Sequence, residues 1–196
     1  MTFTVGILAY GSLIDDPDAE IRAAIVGVVK DEVRTPFKVE YARKSSTRSD
    51  APTLIPTKDG GARVRAQILV LNVSEIDATN MLYRRETRTH KDYVPPKTPS
   101  TNKVVIERLE NFHGIDVVLY TSITANIDPL NSTALAELAI NSANQRDDDE
   151  DGISYLINAK RNGIQTPLSD GYEEEIKRLT GKDTLCDARN SLRPAK

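Results

Sequence analysis

Two short stretches of this 196-residue chain combine residue types that could do chemistry. In the first, Tyr10-Gly11-Ser12-Leu13, a glycine comes shortly after an apolar run. Glycine at such a point lets the backbone turn sharply and expose successive N–H groups, which can hold a carboxylate or another anion. Strands also commonly end in glycine and serine, so an anion site and an ordinary turn are both open here.

The second stretch contains Glu86, near the end of a segment with helical periodicity. Glu86 follows Leu82 by four residues and Ala78 by eight, a spacing that predicts a place on their apolar face. A carboxylate turned toward the interior is costly unless it is paired or functional. The alternative is a surface glutamate paired with a neighbouring cation. The cations within reach are Arg84, Arg85, Arg88 and Lys91.

The other reactive side chains give weak signals. Cys186 has no histidine nearby to activate it, and His90 and His113 are well separated in the sequence. One cysteine and two histidines cannot build a disulfide framework or a Cys/His zinc site. We therefore expect no metal and no cofactor, with both histidines on the surface.

Two charged segments favour structural interpretations. The acidic run at 147–151 lacks the ligand spacing of a calcium loop, so we expect a solvated connection between helices. The basic cluster around Arg43 and Arg48 has no interleaved aromatic residues. It indicates a surface loop or a contact for an anion rather than a nucleic-acid platform.

The elements that must position these residues are read from apolar periodicity and from turn residues. The first half of the chain predicts strands at 3–9, 37–41 and 64–71, a helix at about 17–26 begun by Asp16-Pro17, and a loop at 43–56. Ser74 opens a helix that runs to about Thr87, and a proline-rich loop follows at 95–99.

The second half predicts two strands, then helices. The strands lie near 103–109 and 115–121, and the helices at about 132–145, 152–162 and 169–180. This order favours an α+β fold in one domain over 1–196. We expect a β-rich core over about 3–125, a helical part over about 130–181 and a frayed polar tail at 182–196.

Composition excludes several classes of protein. Apolar residues make up 39% of the chain and charged residues 28%, which is typical of a globular domain. The formal charge of −3 argues against a protein whose main task is to bind nucleic acid. No apolar run approaches the length of a membrane span, and the first residues carry no basic segment. We therefore expect a cytoplasmic protein with no membrane partner.

The two reactive stretches together resemble the γ-glutamylcyclotransferase-like superfamily. Tyr10-Gly11-Ser12-Leu13 is similar to its signature loop, and Arg85-Glu86 followed by Tyr93 is similar to an element of its ChaC-type branch. Thr53-Leu54-Ile55-Pro56 and Val117-Val118-Leu119-Tyr120 resemble its middle segment and a later strand. The chain departs from the family at Ala66, where glycine is frequent, and before Tyr93, where paired glycines are absent.

The resemblance implies a small mixed β-barrel or sheet with peripheral helices and a cavity at its mouth. It also implies an enzyme that converts a γ-glutamyl compound, with glutathione a candidate, to 5-oxoproline and a free amine. Glu86 would be the catalytic acid and base. The substrate would be bound by Tyr10, Gly11, Ser12, Leu13, Tyr93 and Arg43.

This reaction suits the residues available. The substrate's own α-amino group can attack its γ-carbonyl carbon, so the step needs no enzyme nucleophile, and holding the substrate folded supplies effective molarity. One carboxylate could remove a proton from the amine and return it to the leaving group. Two alternatives stay open: cyclotransfer on γ-glutamyl-amino acids or γ-glutamylamines, and a catalytically silent module that binds a small ligand. A homodimer also stays open.

Overall fold

The computed structural model describes residues 3–97 and 102–193. Within them the chain forms two compact units. Met1–Thr35 and Arg65–Thr124 make up one, here called the sheet unit, and Pro36–Val64 and Ala125–Lys196 make up the other, the helical unit. The segment 36–64 thus groups with the C-terminal helices rather than with the other strands. One domain over 1–196 stays a prediction.

The elements alternate little along the chain, with most strands in the first two thirds and four helices at the end. In chain order they are β1 (Val5–Ala9), α1 (Ser12–Asp15), α2 (Ala19–Ala24), β2 (Ile25–Val29), β3 (Lys38–Ser45), β4 (Ala51–Thr57), β5 (Gln67–Leu71), α3 (Glu75–Thr87), β6 (Val105–Phe112), β7 (Ile115–Ser122), α4 (Ser132–Asn144), α5 (Gly152–Arg161), α6 (Ser169–Thr180) and α7 (Leu185–Leu192). The α+β class is confirmed.

The sheet unit is built on five strands in the order β2-β5-β1-β7-β6. Central β1 pairs antiparallel with β5 and parallel with β7, so Ile7 lies between Leu69 and Leu119. In the described residues β2 and β6 form two separate edges, and the sheet is open. The resemblance implied a small mixed β-barrel or sheet, and the described residues form an open sheet rather than a closed barrel.

The core of the sheet unit explains why β1 is a continuous apolar run. All five β1 residues are buried, because the strand has neighbours on both sides and α3 against it. Ile7 and Leu119 of the sheet pack in one cluster with Ala78 and Leu82 of α3 and with Leu13. Burying such side chains contributes roughly 1.5–3 kcal/mol each. This packing fixes α3 relative to the loop after β1.

The segment after that loop differs from the prediction. The helix is short, and its N-cap is Asp18, whose side chain accepts from the Glu20 N–H group, rather than Asp16. The chain leaves the helix at Ile25 and forms β2, an edge strand that was not predicted. The prediction was wrong because Ile21, Ala24 and Ile25 fit a helical stripe as well as a helix-to-strand change.

The helical unit contains a hairpin where a loop was predicted. β3 runs to Ser45 and pairs antiparallel with β4, from Lys38 opposite Thr57 to Ser45 opposite Ala51, with a shift of register between Glu40 and Arg43. Pro52 and Pro56 lie in β4, and they argued against a strand. Both strands of a two-stranded sheet are edge strands, however. Proline is tolerated in an edge strand where its nitrogen faces away from the partner strand, because no ladder hydrogen bond is lost there.

The C-terminal helices follow their local signals closely. α4, α5 and α6 match the predicted spans within one or two residues, and Gly181 follows α6 with a φ of 64° as a helix-ending glycine does. The predicted tail at 182–196 is wrong over most of its described length, since α7 lies there. Thr184 accepts a hydrogen bond from the Asp187 N–H group, and Leu185 and Ala188 are buried.

A buried ion pair explains why α7 is ordered. Arg189 donates from Nε to Asp151, and both side chains are almost fully buried. Asp151 also accepts from the N–H groups of Ile153 and Ser154 at the start of α5. The prediction of a solvated loop at 147–151 is therefore correct for residues 147–149, which are exposed, and wrong for Asp151, which is buried. Asp151 is a structural residue.

Candidate functional site

The loop after β1 has the backbone conformation that its glycine suggested. Gly11 is buried, with φ 60° and ψ −137°, and α1 begins at the next residue. This region of φ and ψ is strained for any residue that carries a Cβ atom. The chain therefore needs glycine here to turn from β1 into α1.

The first turn of α1 presents the N–H groups proposed to hold an anion. Ser12 and Leu13 are its first two residues, and the first N–H groups of a helix have no acceptor within it. The Leu13 side chain packs in the core, so only its backbone is available to a ligand. Anion binding by Gly11, Ser12 and Leu13 stays a prediction.

The buried face of α3 is occupied by Arg85 rather than by Glu86. Ala78, Leu82 and Arg85 are buried, while the Glu86 side chain is 23% exposed. At about 100° per residue, Arg85 lies about 20° from Ala78 around the helix axis and Glu86 about 80°. Glu86 is thus at the border of the apolar face, and its predicted place on that face is corrected.

Arg85 is the centre of the hydrogen-bonded group at this end of α3. Its Nε and Nη2 atoms donate to the Asp16 carbonyl oxygen at 3.2 and 2.8 Å. Nη2 also donates to Ser12 Oγ at 3.1 Å, and Nη1 donates to Glu86 Oε1 at 2.6 Å. One guanidinium therefore contacts both of the stretches that the sequence singled out.

Glu86 combines properties of both sequence interpretations. It is paired with a neighbouring arginine, as the surface interpretation required, and the partner is Arg85. That arginine is only 8% exposed and also bonds Ser12 in the loop after β1. The carboxylate is therefore held beside the loop and is reachable from solvent, an arrangement that suits proton exchange with a small molecule.

Further ion pairs tie the end of α3 to the segment that follows α1. Arg84 pairs with Glu20 and, at 2.6 Å, with Asp92. The hydrogen bond with Glu20 is the main cause that raises the pKa of Arg84 above its ordinary value. Arg88 approaches Asp16 at 3.7 Å. These ion pairs restrain the C-terminal end of α3, and none of them includes Glu86.

Tyr93 anchors the loop that follows α3. Its N–H group donates to Asn80 Oδ1 at 2.9 Å, and its hydroxyl accepts from the Ile106 N–H group at 3.2 Å. Its ring lies 5.2 Å from that of Tyr83. Tyr93 lines an open pocket of about 470 Å³ beside the N-terminal half of α3. Substrate contact by Tyr93 and by half-buried Tyr10 stays a prediction.

Arg43 and Arg48 belong to the helical unit. Arg43 lies on β3, and burial lowers the pKa of its guanidinium. Arg48 lies 5.4 Å from the centre of the Tyr155 ring, a cation–π distance. Binding of a substrate carboxylate by either residue stays a prediction.

The remaining reactive side chains are dispersed. Cys186, His90 and His113 are exposed. Within residues 3–97 and 102–193, no three His, Cys, Asp or Glu side chains are grouped so that they could hold a metal ion. In the same part of the chain, no helix has both the length and the apolar character needed to cross a membrane. The predicted loop residue Pro99 lies outside the described residues.

Arg85 is the residue that sequence reasoning left out of the site. It was named as a possible partner for Glu86 and as part of the Arg85-Glu86 element, but no role in the site was predicted for it. Its position seven residues after Ala78 and three after Leu82 was the available signal, since this spacing belongs to the buried stripe. The Asp16 carbonyl that fixes Arg85 had no sequence signal.

No protein-family model matches this chain, and no curated protein matches it significantly. Among solved structures it is similar to a yeast γ-glutamyl cyclotransferase specific to glutathione, with a TM-score of 0.49 and 13% identity over 90% of this chain and 99% of that one. A selenomethionine-labelled structure described in the same way has a TM-score of 0.44 and 16% identity over 98% of both chains. Both structures are described as γ-glutamyl cyclotransferases, the superfamily that the two sequence stretches resemble.

Proposed function

We propose that this protein is a γ-glutamylcyclotransferase that converts a γ-glutamyl compound to 5-oxoproline and a free amine. The observation that carries the proposal is the contact of one buried guanidinium with both Glu86 and Ser12. These residues come from the two stretches whose sequences resemble the superfamily. Their meeting in the fold supports a joint role that neither stretch supports alone.

The proposed reaction is an intramolecular acyl transfer. The α-amino nitrogen of the substrate bonds to the γ-carbonyl carbon, and the bond from that carbon to the leaving nitrogen breaks. Glu86 removes the proton from the attacking amine and returns it to the leaving nitrogen, so protons balance over the step. General acid–base groups of this kind contribute typically 10²–10⁴-fold to a rate.

The loop after β1 supplies orientation in this mechanism. The N–H groups of Gly11, Ser12 and Leu13 hold the carboxylate of the glutamyl end, as successive backbone amides at a turn can do. Fixing that end keeps the amine near the γ-carbonyl carbon, and proximity of this kind can account for several kcal/mol of the barrier.

A panel of substrates tests the proposal. The purified protein is incubated with glutathione, γ-glutamyl-alanine and a γ-glutamylamine, and 5-oxoproline is measured by mass spectrometry. We expect 5-oxoproline from at least one of them, with Cys-Gly as the second product from glutathione. Turnover of γ-glutamyl-alanine but not glutathione would assign the enzyme to the amino-acid branch.

The second candidate is a binding module without turnover. The ion pair that holds Glu86 favours this candidate, because a paired carboxylate also serves as a fixed structural or binding group. Calorimetric titration with 5-oxoproline separates the two. Binding together with no turnover of any compound in the panel would replace the enzyme proposal with the binding module.

A further inference from the structure

The guanidinium of Arg85 determines how its partners can use their own hydrogen-bonding groups. Arginine has five N–H donors and no acceptor, so each partner must accept. Ser12 Oγ therefore accepts from Nη2, and the serine hydroxyl proton is left to donate to another group. In the described part of the chain this is the only hydrogen bond of Ser12 Oγ.

The same guanidinium distinguishes the two oxygens of Glu86. Nη1 donates to Oε1 at 2.6 Å. Within residues 3–97 and 102–193, no group donates a hydrogen bond to Oε2. Oε1 is thus the oxygen bound by Arg85, and Oε2 is the one left for a bound molecule, on a side chain that is 23% exposed.

The Asp16 carbonyl oxygen fixes the orientation of the Arg85 guanidinium plane. It accepts from Nε and Nη2 together, so the planar guanidinium can neither rotate nor tilt without losing one of these hydrogen bonds. Arg85 is almost fully buried, which strengthens each of these interactions. Oε1 of Glu86 and Oγ of Ser12 therefore keep a set separation.

We propose that Arg85 is a positioning residue that reserves Glu86 Oε2 for proton transfer and aims the Ser12 hydroxyl at the γ-carbonyl oxygen of the substrate. This inference rests on the function proposed above. Glu86 moves a proton between two nitrogens that are both bonded to the γ-carbon once the amine has attacked, and Ser12 lies across the same guanidinium from Glu86. The oxygen on that carbon gains negative charge during attack, and a preorganised O–H donor stabilises it.

Three variants test this role: Ser12→Ala, Arg85→Lys and Arg85→Met. Ser12→Ala removes the donor, and we expect kcat to fall about 10²-fold with KM nearly unchanged, the usual scale for one donor to a developing oxyanion. Arg85→Met should lower kcat at least as much. Arg85→Lys should recover part of the loss, because lysine keeps the charge but not the planar fork.

The matched control is Arg108→Met. Arg108 is another arginine of the sheet unit, and it pairs with Glu75 and Glu110, each at 3.2 Å, rather than with Ser12 or Glu86. We expect its kcat within twofold of the parent protein. Circular dichroism and melting curves identify variants that fail to fold. If Arg85→Met does not fold, Ser12→Ala still tests the role, because it removes only one hydroxyl from a half-buried residue.

The outcomes separate this role from the proposed function. A parent protein that turns over no γ-glutamyl compound would overturn the function and this role with it. An active parent, an inactive Glu86→Gln variant and unchanged kcat in both Ser12→Ala and Arg85→Lys would overturn this role alone. A rise in KM without loss of kcat in Ser12→Ala would also overturn it, because it would indicate uniform substrate binding.

Discussion

The two units each contain a buried arginine paired with a carboxylate, and the pairs differ in exposure. In the sheet unit Arg85 is 8% exposed and Glu86 is 23% exposed. In the helical unit Arg189 is 3% exposed and Asp151 is fully buried. A pair sealed from solvent can only hold elements together, whereas a pair with one side open offers a fixed carboxylate to a small molecule.

A third carboxylate sharpens this comparison. Glu40 of β3 is buried, and it accepts from Thr166 Oγ1 at 2.6 Å and from the Tyr41 N–H group at 2.9 Å. No cationic side chain pairs with it in the described residues. Burial raises the pKa of Glu40, outweighing the hydrogen bonds from Thr166 and Tyr41 that lower it. The sequence suggested an enclosed carboxylate at Glu86, and the structure has one at Glu40.

The largest expected effect on stability is at the sealed pair. Arg189→Met leaves Asp151 buried without its counter-charge, and breaking such a pair typically costs about 3–5 kcal/mol of unfolding free energy. Urea denaturation measures it. Arg193→Met is the control, because its ion pair with Asp149 at 2.6 Å is on the surface and should contribute about 1 kcal/mol or less. Equal costs in the two variants would contradict a structural role for the sealed pair.

The open pair should respond in activity rather than in stability. Glu86→Gln keeps an oxygen that can accept from Arg85 but cannot transfer a proton, so we expect the rate to fall by about 10²-fold or more. Unfolding free energy should change by about 1 kcal/mol or less, since the group is partly exposed. Initial-rate assays and melting curves measure the two effects.

Glu75→Gln provides the control for that variant. Glu75 begins the same helix and pairs with Arg108 at 3.2 Å, so it tests the loss of an α3 carboxylate as such. It should keep parental activity. A fully active Glu86→Gln variant would end the assignment of Glu86 as acid and base.

A smaller effect is expected at the loop that accompanies the open pair. Gly11→Ala places a Cβ atom at a φ of 60° and a ψ of −137°, which costs about 1–3 kcal/mol and displaces the first turn of α1. Binding of 5-oxoproline, measured by calorimetry, should weaken. Gly114→Ala has a similar φ of 79° but open space around the added atom, so it should lose stability without losing binding. Equal binding losses would point to general strain.

The smallest effect concerns Glu40 and is visible as a pH dependence. Because the pKa of Glu40 is raised above 4.5, the folded protein holds this proton more tightly than the unfolded chain does. The contribution to unfolding free energy is full below pH 4.5 and is lost as the pH rises through the folded pKa. Glu40→Gln should remove this decline and change stability at pH 7 by about 1 kcal/mol or less.

Denaturation curves from pH 4 to 8 check that expectation. Glu137→Gln is the control, since Glu137 is an exposed glutamate of α4 in the same unit. It should keep the parental pH dependence. A Glu40→Gln variant with the same pH dependence as the parent would show that this carboxyl does not couple to folding in that range.

Elements whose stabilisation is local could be predicted from the sequence. Ser74 accepts from the Asp77 N–H group at the start of α3, and Gly181 ends α6, both as their residue types indicated. The β3–β4 hairpin and α7 could not be predicted in this way. The hairpin contains prolines that are tolerated only on edge strands, and α7 depends on the contact of Arg189 with Asp151, which is 38 residues away.

By itself, the sequence determined the chemistry available to the site: a glycine that permits the turn after β1 and a carboxylate on α3, in an order that resembles a known superfamily. Only the tertiary structure decided that Arg85, rather than Glu86, turns into the core and that its guanidinium joins Glu86 to Ser12. The reason is geometric. A rotation of about 100° per residue leaves several side chains near the border of a helix face, and the partners across the fold decide which of them is buried.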